Sequence, residues 1–400
     1  MSNNWKTYKL DQVATLQRGF DLPNTKRSLG NYPVIAASGF STWHNEFKVK
    51  GPGVTTGRSG TLGQVFYEEK DFWPLNTCLW VKDFHGNDQR FIYYFLKTLN
   101  FEEYNSGTSV PTLNRNDVHK LEVTIPSIKE QQSIASILSS IDDKIENNLA
   151  INKTLEEMAA ALYKHWFIDF GPFQDGEFVE SELGLIPKGW EVISLENIVN
   201  VVSKGTTPRM KDVTSTEMKI PFLKVRDINS EGEIKTENID LIPEEVHLKD
   251  LKRSILYEND LLFSIAGTIG KVSIITKYFN NSNCNQALAF IRLKDKERFK
   301  TFIYYWLKSD EVQSRVQNSV VQGVQANVSL TVLKELKLPI PSDNGMIEKY
   351  SKKVNPILEL ILRNQEENRI LRTKRDVLLP TLISGEVRLK EFQEQLATIL

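Results

Sequence analysis

Residues 145–166 read IENNLAINKTLEEMAAALYKHW, and residues 361–382 read ILRNQEENRILRTKRDVLLPTL. In each stretch the apolar residues are spaced alternately four and three positions apart, and two asparagines fall on the same spacing. In the first stretch these are Asn148 and Asn152. The spacing is the heptad pattern of a helix that packs against another helix along a narrow seam. Both stretches therefore predict long helices, and every seam position of the first has a counterpart at one constant distance along the chain.

The paired asparagines predict how the two helices meet. A buried asparagine lowers stability but specifies helix register and partner. We therefore predict an antiparallel coiled coil in which Asn148 faces Asn368. In the same register, Asn152 faces Asn364. Arg375, next to this seam, is expected to cover it with its aliphatic stem while the guanidinium reaches water. The predicted seam consists of Ile141, Ile145, Asn148, Asn152, Leu155, Ile357, Ile361, Asn364, Asn368 and Leu371.

The parts of the chain outside these helices are also repeated. Ser59–Gly63 reads SGTLG and matches AGTIG at Ala266–Gly270. Phe91–Lys97 reads FIYYFLK and matches FIYYWLK at Phe302–Lys308. Because the matches keep their order while the distance between them drifts, they indicate a duplication with insertions. Loops that differ on a shared scaffold are where two copies acquire different binding preferences.

The repeated order predicts an α+β (mixed α/β) fold. Two duplicated globular domains are joined by two long helices packed as an antiparallel coiled coil, with approximate two-fold symmetry. Sequence rich in β-formers falls at 260–275 and 287–294, and short helical patterns fall at 89–99 and 300–309. The predicted segments are a first globular domain at 1–128, a central helix at 129–168, a turn-rich linker at 169–189, a second globular domain at 190–345, a C-terminal helix at 346–388 and a tail at 389–400.

Composition narrows the class of protein. The chain of 400 residues is 40% hydrophobic and 25% charged, which is typical of a soluble globular protein and not of a disordered or fibrous one. Two cysteines far apart in sequence predict neither a disulfide framework nor a zinc site. There is no apolar leader and no run long enough to span a membrane, so we expect a cytoplasmic protein without a membrane partner.

The formal net charge of −1 offers no support for nucleic-acid binding, so any basic surface must be local. Lysines and arginines do cluster near the repeated motifs, where they could follow a phosphate backbone. The alternative for each is a solvated surface. The repeated Gly-Thr-x-Gly loops could approach phosphate, but a tight turn between strands explains their presence in both copies better. The candidate DNA-binding residues are Arg18, Lys26, Arg27, Arg58, Ser59, Lys204, Thr206, Arg209, Lys211, Lys224 and Arg226.

Catalytic motifs are nearly absent from the sequence. It contains no Walker loop, no His-Glu-x-x-His and no Gly-x-Ser-x-Gly. Asp227, Glu233 and Lys235 have the residue types of a magnesium-dependent nuclease, although a polar loop explains them as well. The repeated Phe-Ile-Tyr-Tyr motif could stack bases, but its helical spacing favours a core helix.

Taken together, these features resemble the specificity subunit of type I restriction–modification enzymes, over residues 5–390. The duplication and the helix after each copy carry the resemblance, as do several motifs. These are WFIDF at Trp166–Phe170, ELGLIPKGW at Glu182–Trp190, RDVLLPTLISGEV at Arg375–Val387, and the openings of the two recognition domains, RGFDLP at Arg18–Pro23 and GTTP at Gly205–Pro208.

The resemblance implies a non-catalytic subunit with two target recognition domains, each reading one half of a bipartite site in double-stranded DNA. The helices would set the spacing and dock methyltransferase subunits, two of which are expected. Those subunits would bind S-adenosylmethionine, and separate motor-nuclease subunits would use ATP and magnesium, whereas this chain would bind no cofactor itself. A helix from about residue 130 to 167 would be about 55 Å long, which bounds the half-site separation to roughly one and a half turns of DNA. A non-enzymatic coiled-coil scaffold for protein partners remains the alternative.

Overall fold

The computed structural model describes residues 5–106, 109–208, 217–321 and 327–386. They form two compact units. The first contains the residues up to Glu146 and those from Ile370 onward, and the second contains Asn147–Arg369. The division cuts both long helices, so each unit holds one globular domain together with one end of each helix.

The first unit is built on two small sheets and a strand pair. One sheet has the order β2-β8-β5-β6, the other has the order β4-β3-β7, and β1 pairs with β9. The strands are β1 (Lys6–Lys9), β2 (Thr15–Arg18), β3 (Tyr32–Ala36), β4 (Gly39–His44), β5 (Gly53–Gly57), β6 (Val65–Glu68), β7 (Trp73–Pro74), β8 (Cys78–Asp83) and β9 (Glu122–Ile125). The helices are α1 (Gln89–Thr98), α2 (Arg115–Val118) and α3 (Ile128–Phe167), the last of which continues into the second unit.

The second unit repeats this plan and adds a hairpin, β10 with β11, before it. Its sheets have the orders β13-β19-β16-β17 and β15-β14-β18, and β12 pairs with β20. The strands are β10 (Phe178–Ser181), β11 (Gly184–Pro187), β12 (Trp190–Ser194), β13 (Val199–Lys204), β14 (Met218–Leu223), β15 (Asp240–Pro243), β16 (Leu261–Ser264), β17 (Val272–Ile274), β18 (Asn283–Cys284), β19 (Leu288–Leu293) and β20 (Lys337–Pro341). The helices are α4 (Glu244–Leu248), α5 (Lys296–Lys308), α6 (Asp310–Val321), α7 (Leu330–Glu335) and α8 (Asn344–Ser384).

The two domains correspond strand by strand, and the predicted α+β duplication is confirmed. Even the unusual parallel pairing recurs: β3 runs parallel to β7, with Val34 opposite Trp73, and β14 runs parallel to β18, with Phe222 opposite Asn283. All other strand pairs of the shared plan are antiparallel. The duplication therefore preserves the hydrogen-bonded framework and not merely the sequence motifs.

The repeated Phe-Ile-Tyr-Tyr motif lies on α1 and α5, and it packs inside each domain. Phe91 and Phe302, which begin the motif in the two copies, are fully buried. In the first unit this core includes Leu138 from α3 and Leu382 from α8. In the second unit it includes Tyr163, Phe167, Tyr350 and Val354 from the same two helices. The interpretation as a core helix is confirmed, and each domain core is completed by the helix ends.

The long helices begin and end close to the predicted positions, with one clear difference. We predicted residues 346–388 for the C-terminal helix, but α8 ends at Ser384. Gly385 follows with φ of +73°, and a Cβ there would lie 2.8 Å from the Trp5 ring, so the turn requires glycine. The predicted linker at 169–189 contains the β10–β11 hairpin. None of the described helices is both long and apolar enough to cross a membrane.

Candidate nucleic-acid interface

In the second unit α3 and α8 meet through two layers of asparagine. Asn148 Nδ2 donates to Asn368 Oδ1 at 2.8 Å, and Asn364 Nδ2 donates to Asn152 Oδ1 at 2.8 Å. Asn152 also donates to the Ile361 carbonyl at 3.2 Å. Because later residues of α3 pair with earlier residues of α8, the helices are antiparallel. The predicted register is confirmed, and all four asparagines are buried.

The rest of the predicted seam is also shielded from solvent. Ile145 and Ile361 are buried, and Ile141, Leu155, Ile357 and Leu371 are half-buried. One detail was wrong. The Arg375 guanidinium does not extend into water but donates to Asp142 at 2.8 Å and to Asp376 at 2.8 Å. Although burial opposes the charge, these carboxylates raise the pKa of Arg375 above its usual value.

A carboxylate on α3 ties each domain to the helices. In the first unit Asp142, besides holding Arg375, accepts the Tyr94 hydroxyl of α1 at 2.6 Å. In the second unit Glu156 accepts the Tyr304 hydroxyl of α5 at 3.3 Å and pairs with Lys308 at 3.1 Å. Burial opposes the charge on Lys308, but Tyr304 and Glu156 outweigh it and raise its pKa. These contacts fix the orientation of each recognition domain on the helix ends that it contains.

The Gly-Thr-x-Gly motifs form hairpin turns. Residues 58–64 join β5 to β6, and residues 265–271 join β16 to β17. Gly60 and Gly267 have positive φ, at +91° and +72°, as such turns require. The tight-turn interpretation is confirmed.

Beside the first hairpin, residues from three segments converge. We call Arg18, Asp21, Arg58 and Asn76 the first polar node. The Asn76 amide nitrogen donates to the Asp21 carboxylate, Arg58 Nη1 donates to the Asn76 carbonyl at 3.2 Å, and Arg18 lies 3.4 Å from Asp21. The segments lie this close because position 19 is glycine: a Cβ there would sit 2.2 Å from the Leu75 carbonyl oxygen.

The corresponding positions of the second domain carry different side chains. We call Lys204, Thr207 and Gln286, together with the apolar Ile265 at the position of Arg58, the second polar node. The Thr207 hydroxyl donates to the Gln286 amide oxygen, as Asn76 bonds to Asp21 in the first domain. A Cβ at position 205 would meet the Cys284 carbonyl oxygen at 1.9 Å, so glycine is again required. Sequence reasoning identified Arg18, Arg58 and Lys204 but missed the other members of the two nodes. The sequence signal that could have identified Asn76 and Gln286 is their corresponding position, two residues before β8 and β19.

The remaining candidates of the first domain, and Thr206 in the segment after β13, lie close to these nodes in sequence. Ser59 donates its amide to the Thr77 carbonyl at 3.1 Å, and Arg27 Nε donates to the Leu22 carbonyl at 3.4 Å. Lys26 and Thr206 are exposed. Arg209 and Lys211 lie outside the described residues.

Lys224 and Arg226 are already paired. Both contact the Asp240 carboxylate at the start of β15, Arg226 at 2.5 Å, and Arg226 also lies 3.4 Å from Asp227. The hydrogen bond from Lys224 holds the pKa of the Asp240 carboxyl below its usual value. We predicted that Arg226 faces DNA, but the structure gives it a protein counterion that phosphate would have to displace.

The three residues of the nuclease-like pattern, Asp227, Glu233 and Lys235, make hydrogen bonds within a local loop. The Asp227 carboxylate accepts the Lys224 amide at 2.7 Å, the Asp227 carbonyl accepts the Lys235 amide at 2.7 Å, and Glu233 accepts the Asn229 side chain at 3.2 Å. Burial raises the pKa of Asp227. Within the described ranges no group of three or more His, Cys, Asp or Glu side chains is arranged to hold a metal ion. The trio thus matches the polar-loop interpretation.

Comparison with known proteins identifies the family. A model described as the type I restriction modification DNA specificity domain matches residues 2–157 and 187–366. The MjaIX specificity subunit of Methanocaldococcus jannaschii is 32% identical over 395 residues, covering 93% of this chain and 88% of that protein. The HindI specificity subunit of Haemophilus influenzae is 27% identical over 345 residues, covering 71% and 73%.

A solved structure supports the fold independently. The type I restriction–modification S subunit from M. genitalium superposes with a TM-score of 0.62 at 18% identity, covering 95% of this chain and 96% of that one. With the duplicated domains and the antiparallel helices, these matches show that the chain belongs to the family of type I restriction–modification DNA specificity subunits.

Proposed function

We propose that each recognition domain of this specificity subunit reads one half of a bipartite site in double-stranded DNA, and that α3 and α8 set the distance between the halves. The observation that carries the proposal is the strand-by-strand duplication, in which each copy incorporates one end of both helices. Two like domains suit two half-sites, because duplex DNA offers equivalent approaches to each. The asparagine layers support a defined spacing, since they penalise slipped helix registers.

The contacts to DNA are proposed to come from the polar nodes and the loops beside them. Arg18 and Lys204 occupy the same position in the two domains, at the ends of β2 and β13. Both are exposed, which suits phosphate contacts. The proposed set comprises Arg18, Lys26, Arg27, Arg58, Ser59, Lys204, Thr206, Arg209, Lys211, Lys224 and Arg226, with Lys224 and Arg226 the weakest members because Asp240 pairs with both.

Two methyltransferase subunits are proposed to dock on the outer faces of the helices. Exposed apolar side chains support this, since they recur at a seven-residue spacing: Ile151 and Met158 on α3, and Ile370 and Val377 on α8. We infer that the chain is non-catalytic and binds no cofactor. S-adenosylmethionine would be bound by the methyltransferase subunits, and ATP and magnesium by motor-nuclease subunits.

Methylation sequencing tests the proposal. The chain is co-expressed with its methyltransferase subunit in a host without other methylation, and the modified sites are mapped across the genome. We expect a bipartite motif with a constant number of unspecified base pairs between its halves. A contiguous motif, or methylation independent of sequence, would contradict the proposal. A protein-binding scaffold would leave the pattern unchanged when the chain is omitted.

A further inference from the structure

We propose that Asn76 and Gln286 are equivalent base-reading residues, one in each recognition domain, and that each selects an adenine through its side-chain amide in the major groove. The inference rests on the proposed function, because it assigns a specificity-determining residue to each half-site.

The backbone around Asn76 and Gln286 makes the same hydrogen bonds in both domains. Gly19 donates its amide to the Cys78 carbonyl at 3.0 Å, and Gly205 donates to the Leu288 carbonyl at 3.1 Å. These bonds hold the ends of β2 and β13 against the segments that carry Asn76 and Gln286. The two amides are thus presented from equivalent points of one scaffold.

The hairpins beside them are held equivalently too. The Leu113 amide donates to the Arg58 carbonyl at 2.8 Å, and the Val328 amide donates to the Ile265 carbonyl at 2.9 Å. Two pairs of equivalent backbone hydrogen bonds therefore frame the nodes in both domains.

The side chains of the two nodes differ, although the backbone frame that carries them is the same. Asp21 in one node corresponds to Thr207 in the other, and Arg58 corresponds to the apolar Ile265. A packing role would favour similar side chains, whereas two domains that read different sequences need the same frame with different polar groups. Both domains have a positively charged side chain at the corresponding positions Arg18 and Lys204, as expected for a phosphate contact that does not depend on the DNA sequence.

Each of the two side-chain amides retains hydrogen-bonding capacity. Asn76 Nδ2 gives one hydrogen to Asp21, which leaves a second N–H and the amide oxygen. Because the Asp21 carboxylate only accepts, it orients the nitrogen toward itself and defines the direction of the amide plane. Gln286 accepts the Thr207 hydroxyl on one lone pair, which leaves its NH₂ group and the other lone pair.

An amide with one donor and one acceptor available matches adenine, which offers the N7 acceptor and the N6 donor side by side in the major groove. Both side chains are accessible for such a contact, since Gln286 is exposed and Asn76 is half-buried. The neighbouring members of the nodes act as positioning residues: Asp21 and Thr207 hold the amides, and Arg58 holds the Asn76 carbonyl.

The experiment compares Asn76→Ala and Gln286→Ala by methylation sequencing of the complex with its methyltransferase subunit. We expect each variant to lose the requirement for adenine at one position, with discrimination falling about tenfold to a hundredfold. The two variants should affect opposite halves of the motif, so the unaffected half reports that each complex is folded. Asn116→Ala, an exposed asparagine on α2, is the matched control and should leave the motif unchanged.

Gln286→Glu sharpens the test, because a carboxylate accepts from cytosine N4. It should shift the preference at that one position from adenine to cytosine while the other half is retained. If the wild-type complex methylates a bipartite motif and all of these variants methylate the same motif equally well, the inference is overturned and the proposed function stands. If both alanine variants alter the same half, the equivalence of the two residues is overturned. If the wild-type complex shows no bipartite motif, the proposed function itself fails.

Discussion

Arg18 ends β2 with about half of its side chain exposed, and its counterion Asp21 is itself 70% exposed. An ion pair of this kind contributes little and leaves the cation accessible to phosphate. Arg226 is equally exposed but shares Asp240 with Lys224 and lies beside Asp227. The two arginines are similarly exposed but differ in the protein counterion that a DNA phosphate must displace.

This contrast predicts different salt dependences. Arg18→Ala and Lys204→Ala should each reduce the slope of log affinity against log salt by about one unit, because each removes one phosphate contact. Arg226→Ala should reduce it by less, since DNA must first displace Asp240 from that arginine. Titrations of a cognate duplex with the assembled complex at several salt concentrations measure the slopes. Equal reductions for all three variants would show that the Asp240 pair does not limit binding.

Sequence reasoning reached some of these residues and not others for a physical reason. Basic residues next to a repeated motif can be recognised locally, as Arg18 and Arg58 were. The counterion Asp240 is on a neighbouring strand, and Asp21 and Asn76 meet because the segment after β2 lies against the segment after β7, where Phe20 bridges Leu75. Contacts between distant segments leave no periodic pattern, so the Asp240 pair and the contacts within the polar nodes could not be predicted, although Asn76 and Gln286 do occupy corresponding positions before β8 and β19.

Among the structural elements, α3 and α8 were the most predictable. Their seam is encoded by the heptad spacing, and the asparagines select one register out of several apolar ones. Asn148 bonds to Asn368 as that register requires. The end of α8 was placed four residues too late, although Gly385, with φ of +73° directly after Ser384, is the kind of residue that commonly ends a helix.

A single and a double variant test how much the asparagine layers contribute to stability. Asn148→Leu alone should lower the free energy of unfolding by about 2 kcal/mol, because it removes the donor to the buried Asn368 oxygen. Adding Asn368→Leu should recover that loss, since two leucines pack without an unpaired polar group. Chemical denaturation of the single and double variants measures both values. A double variant less stable than the single one would contradict this account.

Replacement of all four asparagines by leucine extends the test to function. The variant should melt at a higher temperature than wild type but accept targets whose spacer is one base pair longer or shorter. This loss of discrimination is expected because leucine layers stabilise several registers. Melting curves and methylation of spacer-variant duplexes measure the two effects. Unchanged spacer selectivity would assign the spacing to something other than these layers.

Glu156 provides a prediction about how the second domain is held on α3. Glu156→Gln should lower the free energy of unfolding by about 3 kcal/mol, because it leaves the largely buried Lys308 without its carboxylate. Glu157→Gln is the matched control: this neighbouring side chain is exposed and should change stability by less than about 0.5 kcal/mol. Denaturation curves of both variants give the comparison, and equal stabilities would show that the pair does not anchor the domain.

For the molecule as a whole, the duplication was visible in the sequence but the compact units were not. The predicted domains are consecutive segments, whereas the first unit joins residues up to Glu146 with residues from Ile370 onward. Its core contains Leu382 and Ile383, which lie far along the chain from the domain they complete. Such long-range packing follows from which faces of the helices remain apolar, and composition or motif order does not reveal it.

If the two domains read their half-sites independently, exchange of one domain should alter only one half of the methylated motif. Residues 190–341 are replaced by the corresponding segment of a relative with a different known target, and the methylated motif of the assembled complex is sequenced. We expect a motif in which one half changes to that of the relative while the other half and the spacer length are retained. A motif in which both halves change together would contradict it.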